Sequence, residues 1–336
     1  MNPIQVESIG VTDRGLVRAE NQDQFLIAEL NRAMRLQSSS LPLPPESILA
    51  GGTLGYLFMV ADGMGGHRAG NEASGLAIQY FITSILNRIR WHNPVKPGDD
   101  VLLVDDLREM LSQAHDEIVR QSEATASLAG MGTTLTMAYV VWPRMVVVHA
   151  GDTRCYLMRN GELRLLTRDH TVAEQMLQAG KLDPNAVERS RWSNVLVNAL
   201  GANAEDVYAE VVRLDLEPND KILLCSDGLN KHVQDEKIQS VLAEAKSMQQ
   251  ASTSLIQLAN EGGGSDNITL IAARWTANPA DRIMRVTASI ATEHRIFSEL
   301  HRPTAIAPDD PTSTTVEVTR ASTCDFGPRS TESPPE

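Results

Sequence analysis

The order of elements legible in this chain predicts an α+β fold, with antiparallel sheets and helices segregated on their outer faces. Three observations carry that reading. The β-prone and helical runs are grouped as strands, two helices, many strands, two helices and a strand, without the one-for-one alternation of a doubly wound parallel sheet. Asn160-Gly161 stands between two short β-prone runs, a strong signal for a tight hairpin. Several strand-like runs are apolar throughout and stop at an aspartate.

Residues 4 to 30 read as a strand, a turn at Asp13-Arg14-Gly15, and a second strand around Gln24 to Leu30. Residues 31–55 contain Ser38 to Pro45, too rich in serine and proline to hold a ladder, and read as an exposed loop inserted between strands. Tyr56 to Ala61 is a buried strand. Between Glu72 and Arg90, Leu76, Tyr80, Phe81, Ile85 and Ile89 fit a helix packed on one face. Leu107, Leu111, Ala114, Ile118 and Val119 predict a second helix over 103–122, and the acidic run 99–106 suits its N-terminal dipole. Thr133–Val141, Met145–Ala150, Cys155–Arg159 and Glu162–Leu166 are short strands. A short helix near Val172 to Ala179 ends at Gly180. Val207–Leu214 and Lys221–Ser226 are strands. Helices follow over 235–245 and 247–260, with Asp235 and Ser247 as expected N-caps, and Asn267 to Trp275 is the last strand. Residues 277–301 have the weak helical spacing of a docking helix. Residues 302–336 are rich in Thr, Ser and Pro and read as a disordered tail.

With 336 residues and 42% hydrophobic composition, the chain is long enough for a sizeable core. A net charge of −13 argues against nonspecific binding to nucleic acid or an anionic membrane. Cys155, Cys225 and Cys324 lie far apart with no CxxC spacing, so neither a structural zinc site nor a disulfide framework is expected. The start of the chain lacks a basic segment followed by an apolar one, and no apolar run approaches the roughly 20 residues of a membrane span. A cytoplasmic location is the expectation.

The chemistry is concentrated in aspartates at strand ends. Asp62 closes Tyr56 to Ala61 and opens a glycine-rich turn. Asp227-Gly228 follows Ile222 to Ser226, and Asp152 follows Val146 to Gly151. Asp266 sits in Gly-Gly-Gly-Ser-Asp-Asn before the last strand. An Asp-Gly after an apolar run is also a common turn, so one such site carries little by itself. Together, oxygen ligands without histidine or thiolate suit Mg²⁺ or Mn²⁺. Two such ions roughly 3.5–4 Å apart can share a bridging carboxylate and activate a water. Asp62 is the natural bridge, with the Gly63 carbonyl accessible beside it. Arg18 could clamp phosphate oxygens, or be a solvated charge.

Six segments share their order with a known family. They are Thr12 to Asp23, Val60 to His67, Gly130 to Thr136, Gly151 to Arg154, Leu224 to Leu229 and Gly264 to Thr269. Over about residues 5 to 275 the chain resembles the bacterial form of the metal-dependent type 2C Ser/Thr protein phosphatases. The resemblance implies a catalytic domain over 5–276 folded as a four-layer α/β/β/α sandwich of two antiparallel sheets flanked by helices. It implies two Mn²⁺ or Mg²⁺ ions bridged by Asp62, with the Gly63 carbonyl as a further ligand and Asp227 and Asp266 on one ion. Asp152 matches the position associated with a third ion, Arg18 the phosphate-binding arginine, and Asp23 an acid that holds metal-bound water. Residues 168–200 match the flap beside the active site. The implied partners are phosphorylated Ser/Thr proteins and a partner kinase.

Two positions depart from the family pattern. Gln22 stands where a glutamate is common; a neutral amide there is expected to hold the second ion only weakly, directly or through water, without loss of activity. Met64 stands where animal members place a histidine acid. His67, three residues on, is the remaining acid candidate or a loop-packing residue. Gln22 is also the one support for another reading, a catalytically weak phosphoprotein-binding regulatory module of the same fold. A metal nuclease fits poorly with the acidic charge. His149 and Cys225 read as core residues, and Trp142 and Trp192 as packing anchors. Asp169-His170 reads as either a flap contact or a solvated turn.

Overall fold

The computed structural model describes residues 4–37, 48–88, 100–187, 189–202 and 204–277, all within the compact unit Met1–Met284. The elements in chain order are β1 (Ile4–Asp13), β2 (Asp23–Arg35), β3 (Ile48–Met64), α1 (His67–Arg88), α2 (Asp100–Ala124), β4 (Gly132–Thr133), β5 (Leu135–Val141), β6 (Arg144–Ala150), β7 (Arg154–Arg159), β8 (Glu162–Leu165), α3 (Val172–Gln178), β9 (Leu200–Gly201), β10 (Glu210–Asp215), β11 (Lys221–Cys225), α4 (Asp227–Asn230), α5 (Asp235–Glu244), α6 (Met248–Glu261) and β12 (Ile268–Ala277). The predicted docking helix and tail, from residue 278 onward, lie outside the described residues.

One sheet has five strands in the order β1-β12-β11-β7-β8. The other has seven, in the order β10-β6-β5-β3-β4-β9 with β2 on β3. The pairings are antiparallel throughout, and Asn160-Gly161 is the predicted hairpin turn between β7 and β8. Antiparallel strands usually alternate apolar and polar, but β3, β11 and β12 are apolar at nearly every position. The reason is that both faces are covered. Leu57, Met59 and Ala61 face α1 and α2, in a core with Phe81, Leu107 and Ile118. Phe58 and Val60, between them in sequence, face the second sheet, where they meet Ile222, Leu224, Ile271 and Trp275. Leu223 and Cys225 turn outward onto α5 and α6, against Ile238, Leu242 and Leu255. Three stacked cores make four layers, α/β/β/α, as expected. Each fully buried large side chain contributes roughly 1.5–3 kcal/mol. Trp275, entirely buried with its ring edge-on to Phe58 at 6.0 Å, is the largest in the inter-sheet layer.

Several boundaries differ from expectation for identifiable reasons. Residues 31–55 are not one exposed loop: β2 and β3 stay paired through Asn31–Thr53, Ala33–Ala50, Met34–Leu49 and Arg35–Ile48, with register shifts. Extending a hairpin already formed at Leu30–Gly55 adds ladder bonds without closing a new loop, and only 38–47 lies outside the described residues. The strand expected at 133–141 breaks at Thr134, whose backbone N–H turns to the Asp62 carbonyl at 2.9 Å. The strand expected from Val207 begins at Glu210. The Asn198 side chain instead holds both Tyr208 backbone groups, donating to its carbonyl at 2.9 Å and accepting from its N–H at 3.0 Å. Helix α5 is capped by Gln234, with Asp235 as its first residue, whereas Ser247 caps α6 as predicted, its side chain accepting from the Gln250 N–H. The short helix α4 had no counterpart in the sequence reading. Trp142 packs on the inter-sheet core, but Trp192 lies partly exposed under the Arg191 guanidinium, 4.6 Å from its ring centroid.

Candidate active site

The two sheets deliver their aspartates to one edge of the inter-sheet core. Asp62 comes at the end of β3, directly opposite Asp23 in the β2–β3 ladder. Asp227 begins α4 immediately after β11, Asp152 follows β6, and Asp266 precedes β12. Arg18 and Gln22 come from the β1–β2 connection. Arg18, Gln22, Asp62, Gly63, Asp152, Asp227 and Asp266 line a single cavity of about 470 Å³, together with Glu20, Met64, Asn194, Leu196 and Lys231. Asn194 and Leu196 belong to the predicted flap, so 168–200 does border the cavity. Asp23 lies just behind the wall, 4% exposed, its carboxylate accepting from Ser226 Oγ at 2.7 Å.

Backbone contacts fix these positions. The Asp62 carbonyl accepts from Thr134 N–H and Thr133 Oγ1, both at 2.9 Å, and its N–H donates to Thr134 Oγ1 at 3.0 Å. Gly63 is required by close approach: a Cβ there would lie 2.1 Å from the Gly70 carbonyl oxygen. Gly228 faces the same constraint, since its Cβ would lie 2.0 Å from the Asn267 carbonyl oxygen. Asn267 joins the loops. Its amide donates to the Arg14 and Glu20 carbonyls at 2.9 and 3.0 Å and accepts from Gln22 N–H at 2.9 Å. Its own backbone N–H donates to Asp266 Oδ1 at 2.9 Å.

The electrostatics are those of a crowded acidic pocket. Burial, reinforced by Asp23, Asp227, Asp152 and Asp266, pushes the Asp62 carboxyl well above its ordinary range. Burial and Asp227 do the same to Asp152. Asp23 is pushed up to about 6 by burial, against its hydrogen bonds from Ser226 and Thr269. Burial raises Asp227 despite Lys231. Asp266 goes the other way, because Lys231 and Arg18 outweigh its burial. Lys231 is itself held cationic, as Asp227 and Asp266 overcome the burial that would lower it.

The side chains fit a divalent pair in chemistry and leave oxygens free for it. Asp23 Oδ1 and Asp227 Oδ1 are buried with no hydrogen-bond partner, an arrangement that costs free energy unless a cation or water meets them. Carboxylates plus a backbone carbonyl are the donors hard divalent ions take. Among the described residues, however, no three acidic, imidazole or thiol groups yet close around one point. Two cations stand among the ligands: Arg18 engages both Asp266 oxygens at 2.8 Å, and Lys231 Nζ bridges Asp227 Oδ2 at 2.5 Å and Asp266 Oδ2 at 2.8 Å.

Every predicted site residue except His67 is thus at or directly behind the cavity. His67 opens α1, and its side chain lies outside the described residues. Met64, in the wall, has no proton to donate. Sequence reasoning missed Lys231, Asn267, Ser226 and Thr134. Lys231 had a signal, its i+4 spacing from Asp227, but α4 was not foreseen. The other three lie inside the motifs already quoted and act through hydrogen bonds that spacing does not show. Asp169 is a flap contact: it pairs with Arg154, whose Nη2 donates at 2.7 Å. His149 and Cys225 are fully buried, as expected.

An antiparallel α/β/β/α sandwich carrying an oxygen-rich acidic cavity with an arginine at its rim defines a metal-dependent phosphatase. The chain belongs to the protein phosphatase 2C family, whose pattern matches residues 49–289. It is 30% identical over 264 residues to the serine/threonine phosphatase Stp of Listeria welshimeri, covering 77% of this chain and 92% of that protein. The crystal structure of the Mycobacterium tuberculosis serine/threonine phosphatase PstP/Ppp superposes with a TM-score of 0.63 at 31% identity, over 80% of this chain and 98% of that one. A structure of the PstP catalytic domain in complex with two manganese ions matches equally, with a TM-score of 0.63, 31% identity, and 81% and 99% coverage.

Proposed function

We propose that this chain hydrolyses phosphoserine and phosphothreonine in proteins at the cavity beneath Asp62, using two Mn²⁺ or Mg²⁺ ions. The observation that carries the reading is the convergence of Asp62, Asp152, Asp227 and Asp266 with Arg18 on one cavity, with buried carboxylate oxygens left without partners. Asp62 would bridge the ions with the Gly63 carbonyl as a further ligand, Asp227 and Asp266 would hold one of them, and Asp152 a third. Gln22 would act weakly on the second ion, by its amide or through water, and Asp23 would hold metal-bound water. When bound, the ions supply an activated water as nucleophile and neutralise charge on the phosphate oxygens.

The remaining work falls to the chain itself. Arg18, half exposed at the rim, spends two N–H groups on Asp266, and its guanidinium, with a fork that matches two phosphate oxygens, would turn to the substrate phosphate. Thr133 and Thr134 hold the Asp62 backbone so that its carboxylate need not reorganise. Asn194 and Leu196 of the flap form the wall against which a substrate segment would lie, which makes 168–200 the specificity element. Among the described residues no helix is long and apolar enough to cross a membrane. We place the protein in the cytoplasm, opposite a Ser/Thr kinase that writes the phosphates it removes.

The test is hydrolysis of p-nitrophenyl phosphate and of a phosphothreonine peptide with Mn²⁺, before and after EDTA. Turnover should require the metal. Asp62→Asn and Asp227→Asn should each lower kcat/KM by at least about a thousandfold, ~4 kcal/mol of transition-state stabilisation. Metal-independent turnover, or a fully active Asp62→Asn, would refute the assignment.

A further inference from the structure

We propose that Lys231 is a resident counter-cation, which a divalent ion must evict from between Asp227 and Asp266, so that Lys231 sets the metal concentration at which the site loads. The inference rests on the two-ion reading above and concerns a residue which that reading leaves without a role. Lys231 Nζ lies 2.5 Å from Asp227 Oδ2 and 2.8 Å from Asp266 Oδ2, and these two carboxylates are the ones assigned to a single ion. An ion about 2.1 Å from the same oxygens would fall in the volume the ammonium fills. The two cations would also repel each other at so short a distance. At these two Oδ2 oxygens occupation is therefore exclusive.

The placement of Lys231 follows from the chain. Its backbone N–H donates to the Asp227 carbonyl at 2.9 Å, closing the one-turn helix α4, so its side chain returns over the residue four positions earlier. The side chain is 23% exposed, and its flexible stem gives the ammonium a route to solvent. The need for such a cation is equally local. Glu20, Asp62, Asp152, Asp227 and Asp266 all line the cavity, and Arg18 is the other cation lining it. Without metal, Lys231 relieves carboxylate repulsion. With metal, it is the group that must yield. Gln22 lines the same cavity with a neutral amide, where an acid would strengthen the pull on the ion.

The experiment is calorimetric titration of Mn²⁺ into the EDTA-stripped, dialysed full chain, with thermal unfolding in parallel. Lys231→Met keeps the apolar stem and removes the charge; Lys231→Gln serves if the first variant folds poorly. Either should bind Mn²⁺ at least about tenfold more tightly than the parent chain, the scale expected for one neighbouring unit charge. Each should melt lower than the parent without metal and recover with saturating Mn²⁺. Lys231→Arg, which keeps the charge, should bind like the parent. Binding only in the neutral variants supports the same conclusion. Equal or weaker Mn²⁺ binding by the neutral variants overturns it while leaving the two-ion reading standing. No binding by any chain overturns both.

Discussion

At the scale of single residues, the contrast between His149 and the aspartates shows how one structure prepares groups for different ends. His149 is fully buried on β6. Its Nδ1 accepts from Thr136 Oγ1 at 2.8 Å, and its Nε2–H donates to the Arg168 carbonyl at 2.9 Å. Both bonds suit the neutral ring, and burial, with neighbouring His170, pushes its pKa down to about 4. The sign follows directly. A group whose folded pKa lies below its unfolded value of 6.5 contributes stability above pH 6.5, and loses it as the pH falls toward 4. The full loss is about 3 kcal/mol. Urea unfolding of the EDTA-treated protein at pH 7, 5 and 4 should show it, and His149→Asn should flatten this slope. An unchanged slope in the variant would mean that another group governs the acid transition. Asp23, Asp62, Asp152 and Asp227 are raised by their burial instead, whereas Asp266, held by Lys231 and Arg18, is lowered.

At the scale of elements, the site depends on loops from separate strands pressing on one another. The β11–α4 turn rests against the loop before β12 at Gly228, with no room for a side chain. Gly228→Ala must push the Asn267 backbone away, and with it the Asp266 that Asn267 helps to orient. The expected cost is roughly 1–3 kcal/mol of stability. Mn²⁺ affinity should fall by about tenfold or more, as when supporting contacts of metal ligands are lost. Thermal melts and metal titration read the two effects separately. Full metal affinity in a variant that melts lower would show that the contact matters for folding alone.

At the scale of the molecule, two sheets packed face to face carry Asp62, Asp152, Asp227 and Asp266 to one edge of their shared core. The metal-free fold bears that repulsion as a cost, so metal binding should stabilise the whole chain. At a hundred times its dissociation constant, one Mn²⁺ adds about 2.7 kcal/mol, a rise in melting temperature of roughly 5–10 °C for a domain of this size. Scanning calorimetry with Mn²⁺ and with EDTA measures it. Identical melting temperatures would argue that the carboxylates are compensated by the protein's own cations.

By itself the sequence determined the β-prone runs, the grouping of helices that excludes a parallel sheet, and the aspartates that close Tyr56–Ala61 and follow Ile222–Ser226. These are local signals: hydrophobic period, turn chemistry and the order of motifs survive in a string of letters. It did not determine that the strand beside β3 breaks at Thr134 into β4 and β5, that Asn198 takes the ladder bonds of Tyr208, or that Asp23 faces Asp62 across a ladder. Nor did it place an ammonium between Asp227 and Asp266. Only the tertiary structure decided these, because each depends on which groups the fold brings together and how deeply it buries them. Their energies depend on distance and burial, which spacing along a sequence does not encode.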